Sequence, residues 1–314
     1  MHRLRPAVRV GARSSETHGI RATWLLMTFL GGVTALAWTN DTAAQWPERA
    51  DTSLPRDAEG NVIMDAPTPR RADGKPDLSG MWMRTRSGPP PEGGGGGLID
   101  VPTAPVPLDP DGPPIAAFFE AGQNMEGGLP YTPWAKELRD ERFALGARDN
   151  PDANCMPMGF LQFHQQPQPR NIIHTDKMIL IEYEANYGVR HIYLDGRELP
   201  PQGEPQPWWY GYSIGHWEGD DLVVETNNLR GAEDGPYDAW LDVNGSPHTR
   251  DAQITEVFRR PTSGHLQIDF TIEDPKAYTR PWTVRIDQRL LPDQELIEFI
   301  CNENQQFRSR IQID

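Results

Sequence analysis

The strongest constraint on the fold is an apolar–polar alternation of period two in the C-terminal half of the chain. Leu266, Ile268, Phe270 and Ile272 alternate with Gln267, Asp269, Thr271 and Glu273, and Trp282, Val284 and Ile286 alternate with Thr283, Arg285 and Asp287. Successive side chains of a strand point to opposite faces, so this pattern buries one face and wets the other; a helix cannot satisfy it. Residues 178–183, 189–194, 222–224 and 254–258 are further short β-rich runs, and 78–83 is the first in the chain. Turn formers separate the runs: Asp195-Gly196, Glu218-Gly219-Asp220, Asn244-Gly245, Ser263-Gly264 and Pro292-Asp293. Strands at this spacing without intervening helices predict an antiparallel barrel or sandwich, with about nine strands between residues 80 and 301.

One helix is expected, over about 133–145. Thr132 can cap it, Pro133 suits its first position, Trp134, Leu138 and Leu145 can share a face, and Gly146 can end it. Residues 45–77 are polar and Pro-containing and read as a linker. Residues 87–114, with Pro89-Pro90-Pro91 and five consecutive glycines at 93–97, read as a flexible excursion from a single domain spanning 78–314. No internal repeat is evident.

The first 44 residues carry five arginines against Glu16 and Asp41, and an apolar run from Trp24 to Ala37 is followed by Thr42-Ala43-Ala44-Gln45. A basic start, a short apolar stretch and small residues before a polar one predict a signal peptide cleaved after Ala44. The run is shorter than the ~20 residues of a spanning helix, so no stable membrane insertion is expected after cleavage, and the protein is expected to be secreted or periplasmic. Such a compartment is oxidising, and the two cysteines, Cys155 and Cys301, are expected to form one bridge. The net charge of −15 includes +3 in the first 44 residues, leaving about −18 on the remainder. That charge repels phosphate backbones and argues against a nucleic-acid partner.

Gly80-x-Trp82 lies on the first strand, where lipocalin-like barrels place a Trp at the closed end; the barrel is therefore expected to be lipocalin-like. The segments Pro76-Asp77-Leu78-Ser79-Gly80-Met81-Trp82, 190–197, 211–220, Trp240-Leu241-Asp242, Gly245-Ser246-Pro247-His248, 274–283 and Glu298-Phe299-Ile300-Cys301-Asn302-Glu303-Asn304 are specific. Together they resemble a family of secreted bacterial proteins that open with a Pro-Asp-Leu-Ser-Gly-x-Trp segment. The resemblance covers about residues 74–304 and implies export and a mostly β fold. It implies no activity.

Signatures for ATP, NAD and zinc-finger chemistry are missing, and no cofactor is expected. His248 follows Gly245-Ser246-Pro247, and Asp242 on the same loop can hold its imidazole in one tautomer, making a general base or acid. A turn-capping His is the competing reading. Glu298, between Leu296 and Ile300, and Glu256, between Ile254 and Phe258, are carboxylates among apolar strand neighbours, open to a raised pKa. Pairing with Arg190 or Arg285 in an interior salt bridge is the alternative. A three-His metal site from His164, His174 and His191 has no supporting spacing, so no metal is expected. The chain has ten Trp; Trp208, Trp209, Trp240 and Tyr278 are candidate ligand contacts, because aromatic faces stack on sugars and flat apolar molecules.

These residues predict cofactor-independent acid/base chemistry (hydrolysis, elimination or isomerisation) on a small or glycosidic molecule. His248 with Asp242 would be the base, Glu298 the acid and Arg190 an anion clamp. The rival is a periplasmic binding protein for a small amphipathic ligand without catalysis, and a third possibility is a structural module of the envelope. Convergence of His248, Glu298 and Arg190 on one cavity discriminates between enzyme and binder.

Overall fold

The computed structural model describes residues 51–85 and 106–304. The expected signal peptide and the Gly/Pro stretch up to residue 105 lie outside the described residues. The fold is mainly β, a closed barrel of nine strands in sequence order. They are β1 (Gly80–Arg84), β2 (Arg170–His174), β3 (Met178–Tyr183), β4 (Gly188–Tyr193), β5 (Tyr212–Glu218), β6 (Asp221–Asn227), β7 (Gln253–Thr262), β8 (His265–Glu273) and β9 (Trp282–Leu290). β1 closes the circle by pairing with β9. Eight of the nine pairings are antiparallel; β4 and β5 alone run parallel. A parallel pair needs a long return, which residues 194–211 supply. At the β5–β6 hairpin Glu218 pairs with Asp221, and Gly219 (φ +63°) takes the left-handed position between them.

The inward residues of the alternation, Ile254, Glu256, Phe258, Ile268, Phe270 and Ile272, are buried, but the other face is not fully wet: Asp269, Arg285 and Asp287 are buried as well, in the Arg285–Asp269 and His265–Asp287 pairs. A barrel of this size has room for side chains or one small ligand. Here the space is taken by a short helix, α2 (Phe160–Gln165), all six of whose residues are buried. Phe160 packs edge-on against Phe270 at 5.8 Å, and Phe163 stacks on Tyr183 at 4.4 Å. The expected pocket inside the barrel is therefore filled by the chain itself.

One end of the barrel is crossed by residues 51–77, which are a strap rather than a free linker. Its carbonyls receive Ser263 N–H at Ala66 and Gly264 N–H at Met64, both from the β7–β8 turn. The strap contains a repeat that the sequence alone did not make evident. Pro55-Arg56-Asp57-Ala58-Glu59-Gly60-Asn61 matches Pro69-Arg70-Arg71-Ala72-Asp73-Gly74-Lys75. The two copies share their hydrogen bonds: Ile63 N to Pro55 O (2.8 Å) and Asp77 N to Pro69 O (2.9 Å), Arg56 Nη1 to Gly60 O (2.8 Å) and Arg70 Nη1 to Gly74 O (2.9 Å). Each arginine then reaches an aspartate at a barrel turn, Arg56 to Asp293 and Arg70 to Asp220. Beneath the strap Trp82 is fully buried, donates from Nε1 to Leu78 O at 3.1 Å, and lies under the Arg260 guanidinium.

Loops close the other end. Their helix α1 (Pro133–Ala144) begins as expected, with Thr132 Oγ1 accepting from Ala135 N–H. Its buried face is Ala135 and Arg142, not Trp134, Leu138 and Leu145: Trp134 and Leu145 are exposed. Arg142 decides the orientation by stacking on Trp240 and donating to the carbonyls of Asp238, Ala239 and Gly245. Residues 106–114, the end of the expected excursion, are held at both ends, with Val106 buried and Arg285 donating its backbone N–H to Pro114 O at 2.9 Å, while 107–111 between them are exposed. Cys155 and Cys301 form the expected disulfide. Among the described residues no helix is long and apolar enough to cross a membrane.

Candidate functional site

The barrel interior holds a buried polar network. Glu256 on β7 accepts from His164 Nε2 at 3.0 Å through one oxygen and from Arg190 Nη2 on β4 through the other. Arg190 Nη2 also reaches Ser213 Oγ (3.2 Å) and Thr226 Oγ1 (3.1 Å), and the guanidinium lies 3.9 Å from the Phe160 ring centre. Burial opposes charge on Glu256, but Arg190 and the His164 bond outweigh it and hold the carboxyl down at about 2. Burial lowers His164 to about 4 despite Glu256, so the imidazole is neutral at pH 7. An ionised carboxylate only accepts, so Nε2 carries the proton, and the buried Nδ1 is left without a partner. This is the interior salt bridge, with a histidine added.

On the outer wall the thinnest seam lies between β4 and β5, which pair only at Ile192–Ser213 and Tyr193–Ile214. Before the seam Val189 and His191 of β4 are exposed, and residues 208–211 return beside them. Gly211 (φ +66°) permits this return, since a Cβ there would meet Thr226 Cγ2 at 2.6 Å. The result is a cleft of ≈ 270 Å³ walled by His191, Tyr193, Trp208, Trp209, Tyr210 and Tyr212, with Arg190 also in its lining.

The rings are fixed before any ligand arrives. Tyr212 lies 5.3 Å from Tyr193 and 5.4 Å from Trp208. Arg197 covers Tyr193 at 3.7 Å, donates to the Tyr212 hydroxyl at 2.9 Å and pairs with Asp195 at 2.6 Å. Arg230 sits 4.5 Å from the Trp209 ring centre and pairs with Asp238 at 2.9 Å. Trp208 is 41% exposed, so one face of this platform meets solvent.

The four proposed catalytic residues occupy different surroundings. Arg190 is inside the barrel. His248 is buried in the end loops, its Nδ1 3.2 Å from Thr249 O, and burial lowers its pKa. Asp242 does not hold that imidazole. Its carboxylate accepts from Ala121 N (2.9 Å), Ser246 N (3.1 Å) and Ser246 Oγ (2.5 Å), and burial raises its pKa. Glu298 is exposed on a segment without strand structure, because β9 ends at Leu290 and no partner edge remains for another strand. It does not line the aromatic cleft but a neighbouring one of ≈ 320 Å³, beside Glu182, Glu184 and Tyr187, which shares Val189 with it.

Of the ligand-contact candidates, Trp208 and Trp209 belong to the aromatic cleft. Trp240 and Tyr278 are core residues: Trp240 donates to Pro236 O at 3.0 Å, and Tyr278 Oη to Pro247 O at 2.8 Å. His164, His174 and His191 also separate; His174 stacks on Trp217 under the strap, and His191 is exposed. Sequence reasoning missed Tyr193, Tyr212 and Arg197. Their signal was the aromatic density of 208–212 near a strand bearing Tyr193, but only the parallel return joins the two. Comparison with models of known protein families, with curated proteins and with solved structures finds no match to this chain.

Proposed function

We propose that this chain is an exported β-barrel binding protein whose aromatic cleft between β4 and β5 holds a small amphipathic, ring-bearing ligand. The observation that carries the reading is the cleft itself: six prearranged rings, one face open to solvent, on a protein whose barrel interior is filled by α2. Exposed aromatic surface of this kind is costly to leave wet, and it marks binding sites. Rings held by Arg197 and Arg230 lose little freedom when a ligand arrives, which favours affinity. The leader-like first 44 residues and the Cys155–Cys301 bridge support export to a secreted or periplasmic location. The separation of His248, Asp242 and Glu298 from the cleft removes the main support for acid/base catalysis.

The experiment is mass spectrometry of small molecules that co-purify with the protein from its native compartment, compared with a Trp208→Ala/Trp209→Ala variant. Both side chains are at least partly exposed, so the fold survives their truncation. At least one compound should be enriched on the native protein and absent from the variant. Identical small-molecule profiles would overturn the reading.

A further inference from the structure

We propose that the ligand of this cleft is a saccharide and that an uncharged pyranose ring is what the aromatic platform recognises. This inference rests on the binding role of the cleft and specifies its chemistry.

Charge comes first. The lining contains no carboxylate and one guanidinium, Arg190, which is already matched by Glu256. The two guanidiniums that buttress the rings are matched as well, Arg197 by Asp195 and Arg230 by Asp238. Three cations face three carboxylates, so the cleft offers no net charge to a carboxylate, phosphate or ammonium group. The surrounding protein is strongly acidic, which further disfavours an anion.

Hydrogen bonding then separates a sugar from a flat apolar ring. Among the described residues, no hydrogen bond within the protein engages the indole N–H of Trp208 or Trp209, the His191 imidazole, or the hydroxyls of Tyr193 and Tyr210. In the free protein water can serve those that reach solvent. An apolar ring laid over them would strip that water and return nothing, at a cost for each group. A pyranose presents C–H faces to the rings and hydroxyls at its edge, which can both donate and accept. It matches the aromatic walls and the polar ring edges together. The open outer side leaves room for further sugar units, so a ring within a chain fits as well as a free one.

The test uses the folded exported protein and defined probes: maltohexaose, cellohexaose, mannohexaose and chitohexaose as neutral saccharides, hexagalacturonate as an anionic one, and 2-naphthol as a flat ring. Binding is read by tryptophan fluorescence and calorimetry, on the native protein and on Trp208→Ala. At least one neutral hexasaccharide should bind, with little dependence on salt. Trp208→Ala should weaken it about tenfold, the loss of one good aromatic contact, at an unchanged melting temperature. Trp208-dependent binding of 2-naphthol with none of the neutral sugars would overturn the saccharide assignment and leave the cleft as a binding site. Salt-sensitive binding of hexagalacturonate alone would overturn the neutrality argument. Absence of Trp208-dependent binding by every probe would overturn both the assignment and the role of the cleft.

Discussion

Replacing Glu256 with Gln removes the one carboxylate that Arg190 contacts inside the barrel. The Arg190 side chain is 1% exposed and would keep only uncharged partners: the Ser213 and Thr226 hydroxyls, the Phe160 ring and the new amide oxygen. Breaking a buried pair from one side typically costs about 3–5 kcal/mol. That is a large share of the roughly 5–15 kcal/mol that holds a domain folded. At this chain length it corresponds to a fall in melting temperature of about 5–9 °C. Circular dichroism during thermal and urea unfolding measures it. The double variant Glu256→Gln/Arg190→Met removes the stranded charge as well and should recover most of the loss. A single variant within about 1 kcal/mol of the native protein, or a double variant worse than the single, would refute the claim that the pair is dry.

The same network gives a pH dependence. His164 titrates at about 4 in the fold and near 6.5 when unfolded, so between these values the unfolded chain binds the extra proton. Its contribution is fully present above pH 6.5 and is lost as pH falls towards 4, by about 3 kcal/mol in total; His164→Gln should flatten that part of the urea-stability profile, and an unchanged slope would count against a neutral buried imidazole. Glu256, depressed to about 2, adds a loss in the same direction below pH 4.5. Reducing the Cys155–Cys301 bridge, which spans 146 residues, should lower stability by about 5 kcal/mol on loop-entropy grounds; an identical urea midpoint with and without reductant contradicts this. In the strap, Arg56→Ala should lower the urea midpoint more than Arg70→Ala, because the Arg56–Asp293 pair is the less exposed of the two; the reverse order would show that the two copies do not hold the barrel end as drawn.

Much of the fold was legible in the sequence because strand periodicity is local. The alternation 266–272 and 282–286 forced two-faced strands, the turn residues separated them, and Thr132-Pro133 opened the one longer helix. With two cysteines in the chain, only one intrachain pairing was possible. Which face of α1 is buried was not legible, because Arg142 outcompetes Trp134 and Leu145 by reaching three carbonyls that belong to a distant loop. The strap repeat was hidden because its two copies agree at Pro, Arg, Ala and Gly within a polar segment. Only their shared hydrogen bonds and their two barrel aspartates make the match visible.

The site divides the same way. Sequence marked Glu256 as an inward carboxylate and offered Arg190 as a partner, since period two fixes which residues face in. It marked Trp208 and Trp209 because a Pro-flanked aromatic pair has no strand to hide in. It placed Trp240 and Tyr278 in the same class wrongly, because burial in irregular loops depends on what other loops cover. It could not see that α2 fills the barrel, that His164 completes the Glu256 network from within, or that β5 returns parallel to β4. Those facts arise from contacts between segments far apart in the chain, and the energy of such contacts depends on the full packing arrangement rather than on any local pattern.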